Sequence, residues 1–257
     1  MQNYVISLKN ASERRQHIEY EFSKNNINFS FFDAITPDQA NTIVSDMKMK
    51  VNAELLAPSE LACLLSHIEL WKKIISESIP YTAIFEDDIY LGENAESIFN
   101  DDDWLESDWH IIKLEYFYRK VILSNEGKNL KNTDRKVHVL NGPNLGAAAY
   151  ILTLDGAKMC LDYVLNHTAQ PVDHLIFDKA ILDRSLKVHQ MNPAICIQEL
   201  TLSPEIENTK LASSLLKERH SRMKTYKKKG WNKIKLELIR IIRQIRFALL
   251  KKTVSFK

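Results

Sequence analysis

Over residues 1–209 the chain alternates short apolar runs with stretches of helical periodicity, and that alternation narrows it to a layered α/β architecture. Tyr4-Val-Ile-Ser-Leu8 reads as a buried strand. It is followed by a helix from Ser12 to Asn25, with Ser12 as N-cap and Ile18 and Phe22 four apart on one face. Phe29–Phe32 is a second strand. Pro58 opens a helix whose apolar series Leu61, Leu64, Leu65, Ile68 and Trp71 runs to about Ser78. Pro80 then introduces the strand Tyr81–Phe85. Further strands are expected at His110–Leu114, Lys136–Leu140 and Ala147–Leu154, helices over Gly156–Asn166 and Asp173–Arg184, and short strands at Val188–Gln190 and Ala194–Gln198. The expectation is a mostly parallel sheet with helices on both faces.

A chain of 257 residues buries a sizeable core without disulfides. Its three cysteines, Cys63, Cys160 and Cys196, are odd in number and form no Cys-x-x-Cys pair, which fits a reducing cytosol better than a secreted framework. The start lacks the basic and long apolar segments of a secretory signal, so a cytoplasmic protein is expected. Gly142-Pro-Asn-Leu-Gly146 matches neither a dinucleotide fingerprint nor a phosphate loop, and neither His-Glu-x-x-His nor Gly-x-Ser-x-Gly occurs. Those absences remove the common dehydrogenase, ATPase, protease and lipase readings.

The strand Tyr81–Phe85 runs straight into Glu86-Asp87-Asp88. Ligands in open α/β sheets gather beyond the carboxyl ends of strands, where this cluster falls. Three adjacent carboxylates repel one another unless a cation or ordered donors compensate, and hard oxygen ligands suit Mn²⁺ or Mg²⁺. Strand alternation sends Glu86 and Asp88 to one side and Asp87 to the other. A solvated acidic turn is the competing explanation. After the first strand, Ser7, Leu8 and Arg14 stand near a helix start, where backbone N–H groups and a guanidinium favour a nucleotide diphosphate. Alternatively, Arg14 and Arg15 are surface charges that pair with Glu13 or Glu19.

Three blocks in order carry a family resemblance. The first joins Tyr4-Val-Ile-Ser-Leu8, Ser12-Glu-Arg-Arg15 and Phe31-Phe-Asp-Ala-Ile35. The second is Ser59-Glu-Leu-Ala-Cys-Leu-Leu-Ser-His67 with Trp71, and the third is Ala83-Ile-Phe-Glu-Asp-Asp-Ile89. Over about residues 1–205 the chain resembles glycosyltransferase family 25, the lipooligosaccharide galactosyltransferases of Gram-negative bacteria, related to collagen galactosyltransferases. The resemblance implies a Rossmann-like GT-A fold, a nucleotide-sugar donor, and a Mn²⁺ or Mg²⁺ ion on a variant Asp-x-Asp motif. Glu86 and Asp88 match its ligand positions, and Asp87 between them falls to the donor. The implied reaction is inverting transfer, usually of galactose from UDP-galactose, onto a sugar of a lipid-linked oligosaccharide.

By the same resemblance Glu60, Ser66 and His67 lie near the donor. His67, beside Leu64 and Trp71 at helical spacing, is equally a buried histidine satisfied by a hydrogen bond. Inversion needs a carboxylate at the acceptor hydroxyl, and Asp173 is the first candidate, with Glu115 and Asp178 in reserve. Asp173 at a helix start is equally explained as an N-cap. Gly146-Ala-Ala-Ala-Tyr150 places small side chains where a sugar can approach the backbone, and His189 is a weak candidate for a further metal ligand. UDP-N-acetylglucosamine or UDP-glucose as donor, a metal-dependent nucleotide-sugar hydrolase, and a non-catalytic membrane-bound scaffold remain open.

The formal charge of +2 conceals a split. Residues 210–257 hold sixteen of the 35 Lys and Arg but only Glu218 and Glu237 of the 33 acidic residues, a net +14 against −12 for residues 1–209. We therefore divide the chain into a GT-A domain over 1–209 and a basic amphipathic tail over 210–257. In the tail Ile234, Leu238, Ile241, Ile242, Ile245 and Leu249 form one helical stripe, with Lys233, Arg240, Arg243 and Lys251 on the far side. Such helices lie in anionic membrane interfaces, so the expected location is the inner face of the bacterial inner membrane, held peripherally. Docking on another enzyme or packing against the body are the alternatives. Nucleic acid is not expected as a partner, since the body is acidic and no reader motif occurs.

Overall fold

A computed structural model describes residues 1–47, 49–52, 56–131, 133–202 and 250–257. The first half carries the expected strands and helices and one helix, Pro37–Met47, that the sequence reading did not place. Strand β1 (Gln2–Ser7) is followed by α1 (Ser12–Lys24), β2 (Ser30–Asp33), α2 (Pro37–Met47), α3 (Pro58–Ser76) and β3 (Tyr81–Glu86). The strands β2, β1 and β3 lie side by side in parallel, with Val5 opposite Phe85 and Ile6 opposite Glu86. That register sets Ser7, just past Ile6, beside the acidic triplet. Alternation along the strands feeds two cores: Ile6 and Ile84 face α3, whereas Val5, Ala83 and Phe85 pack with Ile18 and Phe22 of α1. Ala11, rather than Ser12, occupies the N-cap of α1.

β4 (Ile89–Leu91) and α4 (Ala95–Phe99) lead into the second half, which departs from a parallel arrangement. There β5 (Ile111–Lys113), β6 (Glu115–Tyr116), β7 (Lys120–Asn129), β8 (Lys136–Leu140) and β9 (Ala149–Thr153) precede α5 (Leu154–Leu165), and β10 (His189–Asn192) and β11 (Cys196–Gln198) follow. The main sheet has nine strands, closing with β12 (Lys251–Thr253), in the order β12-β7-β8-β10-β5-β9-β3-β1-β2. Among the described residues only the pairs β1–β2, β1–β3 and β10–β5 of this sheet are parallel, so it is mixed rather than mostly parallel. Antiparallel β9 inserts between β3 and β5. A second sheet orders β4-β11-β6 and pairs Gln198 with Ile89. This small sheet carries the late chain back to the end of β3.

Helix α3 is buried on nearly every side from Ser59 to Trp71, with Leu64, Leu65, Ile68 and Trp71 fully enclosed between the sheet and its neighbours α2 and α5. The helix expected over Asp173–Arg184 is composite: an α-turn at Val172–His174, a π-helical stretch at Leu175–Lys179 and a further turn at Ala180–Leu182. The polar second half of β7 carries no apolar period, and its pairing with β8 defines it as a strand.

The amphipathic stretch up to Leu249 lies outside the described residues. The last residues, which the sequence reading assigns to the tail, join the body instead. Lys251–Thr253 pairs antiparallel with β7, Val254 is buried, and the Lys252 ammonium donates to the carbonyls of Ser124 (2.7 Å) and Asn125 (2.8 Å). Lys251 is therefore a strand residue and not part of a helical basic face. Among the described residues, no helix is long and apolar enough to cross a membrane.

Candidate active site

The parallel strands β1 and β3 end together, and α3 passes over their ends, leaving a pocket of about 310 Å³. Ser7, Leu8, Arg14, Ser66, His67, Glu86 and Asp87 line it, and Cys63 joins them. Asp87 faces the β1 side: Ser7 Oγ donates to its Oδ2 at 2.7 Å, and Arg14 donates to its Oδ1. A second nitrogen of Arg14 lies 3.7 Å from Asp88. Arg14 is thus a half-buried charge held by the acidic cluster, rather than one that pairs with Glu13 or Glu19 on the helix surface. Burial opposes its charge, but Asp88 and Asp87 outweigh burial and raise its pKa, so it stays a guanidinium. Arg15 turns the other way, to Asp33 and the ring of Phe31. Leu8 holds the turn through its carbonyl, which accepts from Arg15 Nε at 3.2 Å.

Asp87 and Asp88 lie in the turn after β3, where strand alternation no longer sets their directions: Arg14 reaches both, and Asp88 meets Glu86 at Gln198. Gln198 Nε2 donates to Glu86 Oε2 and to Asp88 Oδ1, both at 3.1 Å. One amide hydrogen-bonding group thereby marks a point on which two carboxylates converge. Burial, then the neighbouring charges of Asp87 and Asp173, push Glu86 up to about 7. Burial, then Glu86, do the same to Asp88, also to about 7. The cluster holds more negative charge than Arg14 balances.

The raised pKa of Asp88 has a measurable consequence. Its folded carboxyl keeps a proton up to about 7, whereas the unfolded one releases it near 3.8, so across that window the parent loses stability as pH rises. With chelator present, Asp88→Asn should gain roughly 1–3 kcal/mol relative to the parent between pH 5 and pH 8. Denaturant melts at the two pH values test this, and a pH-independent difference contradicts it.

Several expected donor contacts have structural duties. Glu60 Oε2 accepts from the backbone N–H of Ala57 at 2.9 Å and caps α3. Ser66 Oγ accepts from Ile35 N at 2.9 Å and donates to Ala62 O at 2.8 Å, tying the loop after β2 to α3. His67 is fully buried, its Nδ1 2.7 Å from the Tyr150 hydroxyl, to which Trp71 Nε1 also donates at 3.0 Å. Burial lowers the His67 pKa to about 4, so the ring is neutral.

Asp173 sits in the first turn of the composite helix, whose N-cap is Pro171, so Asp173 is not the N-cap residue itself. Its Oδ2 accepts from Gly146 N at 3.2 Å and its Oδ1 from His174 N at 2.9 Å. Its charge bears on Glu86, Cys63 and His67. Glu115 is buried beside Lys113, whose ammonium lies 2.9 Å from it, also donates to Gly146 O, and stands over the Phe177 ring. Gly146 has φ +86°, and a Cβ there would come within 2.5 Å of the Glu115 carboxylate, so close packing and a left-handed backbone account for this glycine. Gly146→Ala should therefore cost about 1–3 kcal/mol of stability, read by thermal melting. Asp178 acts on Tyr163, and His189 packs against Trp109 between Lys187, Asp108 and His110. Neither is among the residues that line the pocket.

Sequence reasoning did not single out Gln198, Lys113 or Tyr150. Gln198 lies 110 positions from Asp88 and carries no local signal. Lys113 ends β5 and Glu115 opens β6, and the opposite charges two positions apart were the available signal for this pair.

The description of glycosyltransferase family 25 (LPS biosynthesis protein) matches residues 1–176. The lipooligosaccharide biosynthesis protein lex-1 of Haemophilus influenzae is 36% identical, with 98% of this chain and 92% of that protein covered. The lacto-N-neotetraose biosynthesis glycosyltransferase LgtE of Neisseria meningitidis serogroup B is 36% identical over 85% of this chain and 82% of that protein. LgtB of Neisseria gonorrhoeae, of the same description, is 32% identical over 95% and 92%. Among solved structures, a glycosyltransferase involved in glycosylation of the major capsid of PBCV-1 covers 87% of this chain and 100% of that one, at 10% identity and TM-score 0.41. The body is a mixed α/β fold built on a large central sheet. The chain belongs to glycosyltransferase family 25.

Proposed function

We propose that this enzyme transfers a hexose, galactose from UDP-galactose foremost, with inversion onto a sugar of lipooligosaccharide or lipopolysaccharide. The observation that carries the reading is the convergence of Ser7, Arg14, Glu86 and Asp87 on one pocket at the ends of β1 and β3, with Asp88 tied to it through Arg14 and Gln198. The names of the relatives, which concern lipooligosaccharide and lacto-N-neotetraose biosynthesis, support the acceptor class.

The carboxylates at the end of β3 fit a divalent cation, since Glu86 and Asp88 aim oxygens at the one point that the Gln198 amide marks. Those two residues would hold Mn²⁺ or Mg²⁺, which when bound supplies charge neutralisation for a departing diphosphate. Arg14, anchored by Asp87, brings a fixed positive charge to the same wall and needs no reorganisation as charge develops. Asp173, oriented by the N–H groups of Gly146 and His174, takes the proton from the acceptor hydroxyl.

The test is transfer of labelled sugar from a panel of UDP-sugars to a lipooligosaccharide acceptor by the full chain. UDP-galactose should be preferred over UDP-glucose and UDP-N-acetylglucosamine, and Asp88→Asn should lower kcat/KM about 10²–10³-fold. Release of free sugar with no acceptor product would favour hydrolysis instead.

The basic segment supports peripheral attachment to an anionic membrane, the inner face of the inner membrane. Because residues 251–257 pair with the body, truncation is a poor test. Reversing Lys233, Arg240 and Arg243 to Glu should weaken binding to vesicles containing anionic lipid at least about 100-fold, at about 1 kcal/mol per basic residue. Unchanged binding would remove the membrane reading.

A further inference from the structure

Glu86 presents its two oxygens to two different surroundings. Oε2 faces Gln198 and, across it, Asp88. Oε1 faces α3, where Cys63 Sγ lies 3.9 Å away and His67 Nε2 3.7 Å away. Cys63 and His67 are four residues apart on α3 and therefore project from the same face of the helix. The sulfur, the imidazole nitrogen and the carboxylate oxygen all lie within 4.8 Å of one another. The edges of a tetrahedral zinc site with bonds of about 2.0–2.3 Å are about 3.3–3.7 Å, so small side-chain adjustments close the set.

A second observation points to a ligand. His67 is completely buried, yet its Nε2 has no hydrogen-bond partner, since 3.7 Å to Glu86 is beyond bonding range. The ring cannot turn away to find one, because Nδ1 is tied to the Tyr150 hydroxyl at 2.7 Å and Trp71 holds that hydroxyl in place. The phenol oxygen has a lone pair for His67 Nδ1–H beside the one that takes the Trp71 N–H, and in the tautomer with the proton on Nδ1 the ligand atom Nε2 presents its lone pair toward Glu86. A hydrogen bond to the far nitrogen is the usual support of a metal-ligating histidine.

We propose that Cys63, His67 and Glu86 form a seat for a transition-metal cation of the Zn²⁺ class, separate from the Glu86–Asp88 oxygen seat and sharing only the Glu86 carboxylate with it. Thiolate and imidazole select Zn²⁺ or Co²⁺ over Mg²⁺. Binding replaces the Cys63 sulfur-bound proton with the metal and releases that proton to solvent. All three ligands line the pocket, so the fourth coordination position opens toward it. The inference does not depend on the sugar-transfer reading.

The test titrates Co²⁺ and then Zn²⁺ into chelator-stripped full chain, with no nucleotide sugar present. One equivalent of Co²⁺ should produce a sulfur-to-cobalt charge-transfer band that Zn²⁺ abolishes. Cys63→Ser should eliminate the band, while its melting in chelator, compared with the parent, reports that the fold is intact. His67→Gln should weaken Co²⁺ binding at least about 100-fold, since even a lost outer partner of a metal ligand costs about 10–100-fold. Asp88→Asn should keep the band, which separates this seat from the oxygen one. No band in the parent, a band that survives Cys63→Ser, or loss of the band in Asp88→Asn would each overturn the proposal. None of these outcomes bears on whether UDP-sugars are used.

Discussion

Asp173→Asn is expected to slow sugar transfer about 10²–10⁴-fold while donor affinity stays within about twofold. The carboxylate lies in the first turn of its helix, outside the capping position, and two backbone N–H groups, from Gly146 and His174, hold its oxygens. An amide keeps the shape but cannot take a proton from the acceptor hydroxyl. Steady-state kinetics separate the roles, because loss of a base lowers kcat at unchanged donor KM, whereas a purely structural Asp173 would change melting and leave kcat near the parent value. A kcat within about threefold of the parent would move the base elsewhere, with Glu115 the next carboxylate to replace.

The largest effect on stability is expected from Lys113→Met. Lys113 and Glu115 are both fully buried, 2.9 Å apart, and removing the cation leaves a carboxylate in an apolar interior. Such breaks cost about 3–5 kcal/mol. Glu115 is already pushed up to about 7 by burial, with Lys113 holding it down, so without Lys113 it would retain its proton to still higher pH. The loss should therefore be smaller at pH 5, where Glu115 is protonated in either variant, than at pH 8. Adding Glu115→Gln should recover part of it, and denaturant melts of the single and double variants measure the coupling. Equal losses at both pH values, or additive losses, would show that packing and not charge dominates at this site.

The fold and site were legible in the sequence wherever one short stretch carried the signal. The apolar run Tyr81–Phe85 ending in three carboxylates placed Glu86, Asp87 and Asp88 at a strand end, and Arg14 followed from its place after the first strand. The cap that Glu60 makes was also legible, since a Glu in the first turn after a proline-opened helix start is a capping pattern. Partners set by topology were not legible. Gln198 reaches Glu86 and Asp88 only because β11 returns beside β4, and Tyr150 reaches His67 only because β9 runs antiparallel to β3. That same antiparallel insertion made the sheet mixed. Periodicity reports which face of a strand is buried, but not the direction of the neighbour it joins. The strand at 251–253 escaped for a related reason: its pairing with β7 comes from a partner over a hundred residues away, and its charge suggested a continuing basic helix.

The most direct measurement of the central reading is thermal stabilisation of the full chain by UDP-galactose, with and without Mn²⁺, alongside Asp88→Asn. A donor held at this pocket at about 100 times its Kd contributes about 2.7 kcal/mol. For a chain of this size, that corresponds to a rise in Tm of about 5–10 °C. The expected result is such a rise with UDP-galactose and Mn²⁺ together, a much smaller one when either is omitted, and none in Asp88→Asn. An equal rise in the parent and Asp88→Asn, or no rise with any UDP-sugar, would contradict the assignment of this pocket as the donor site.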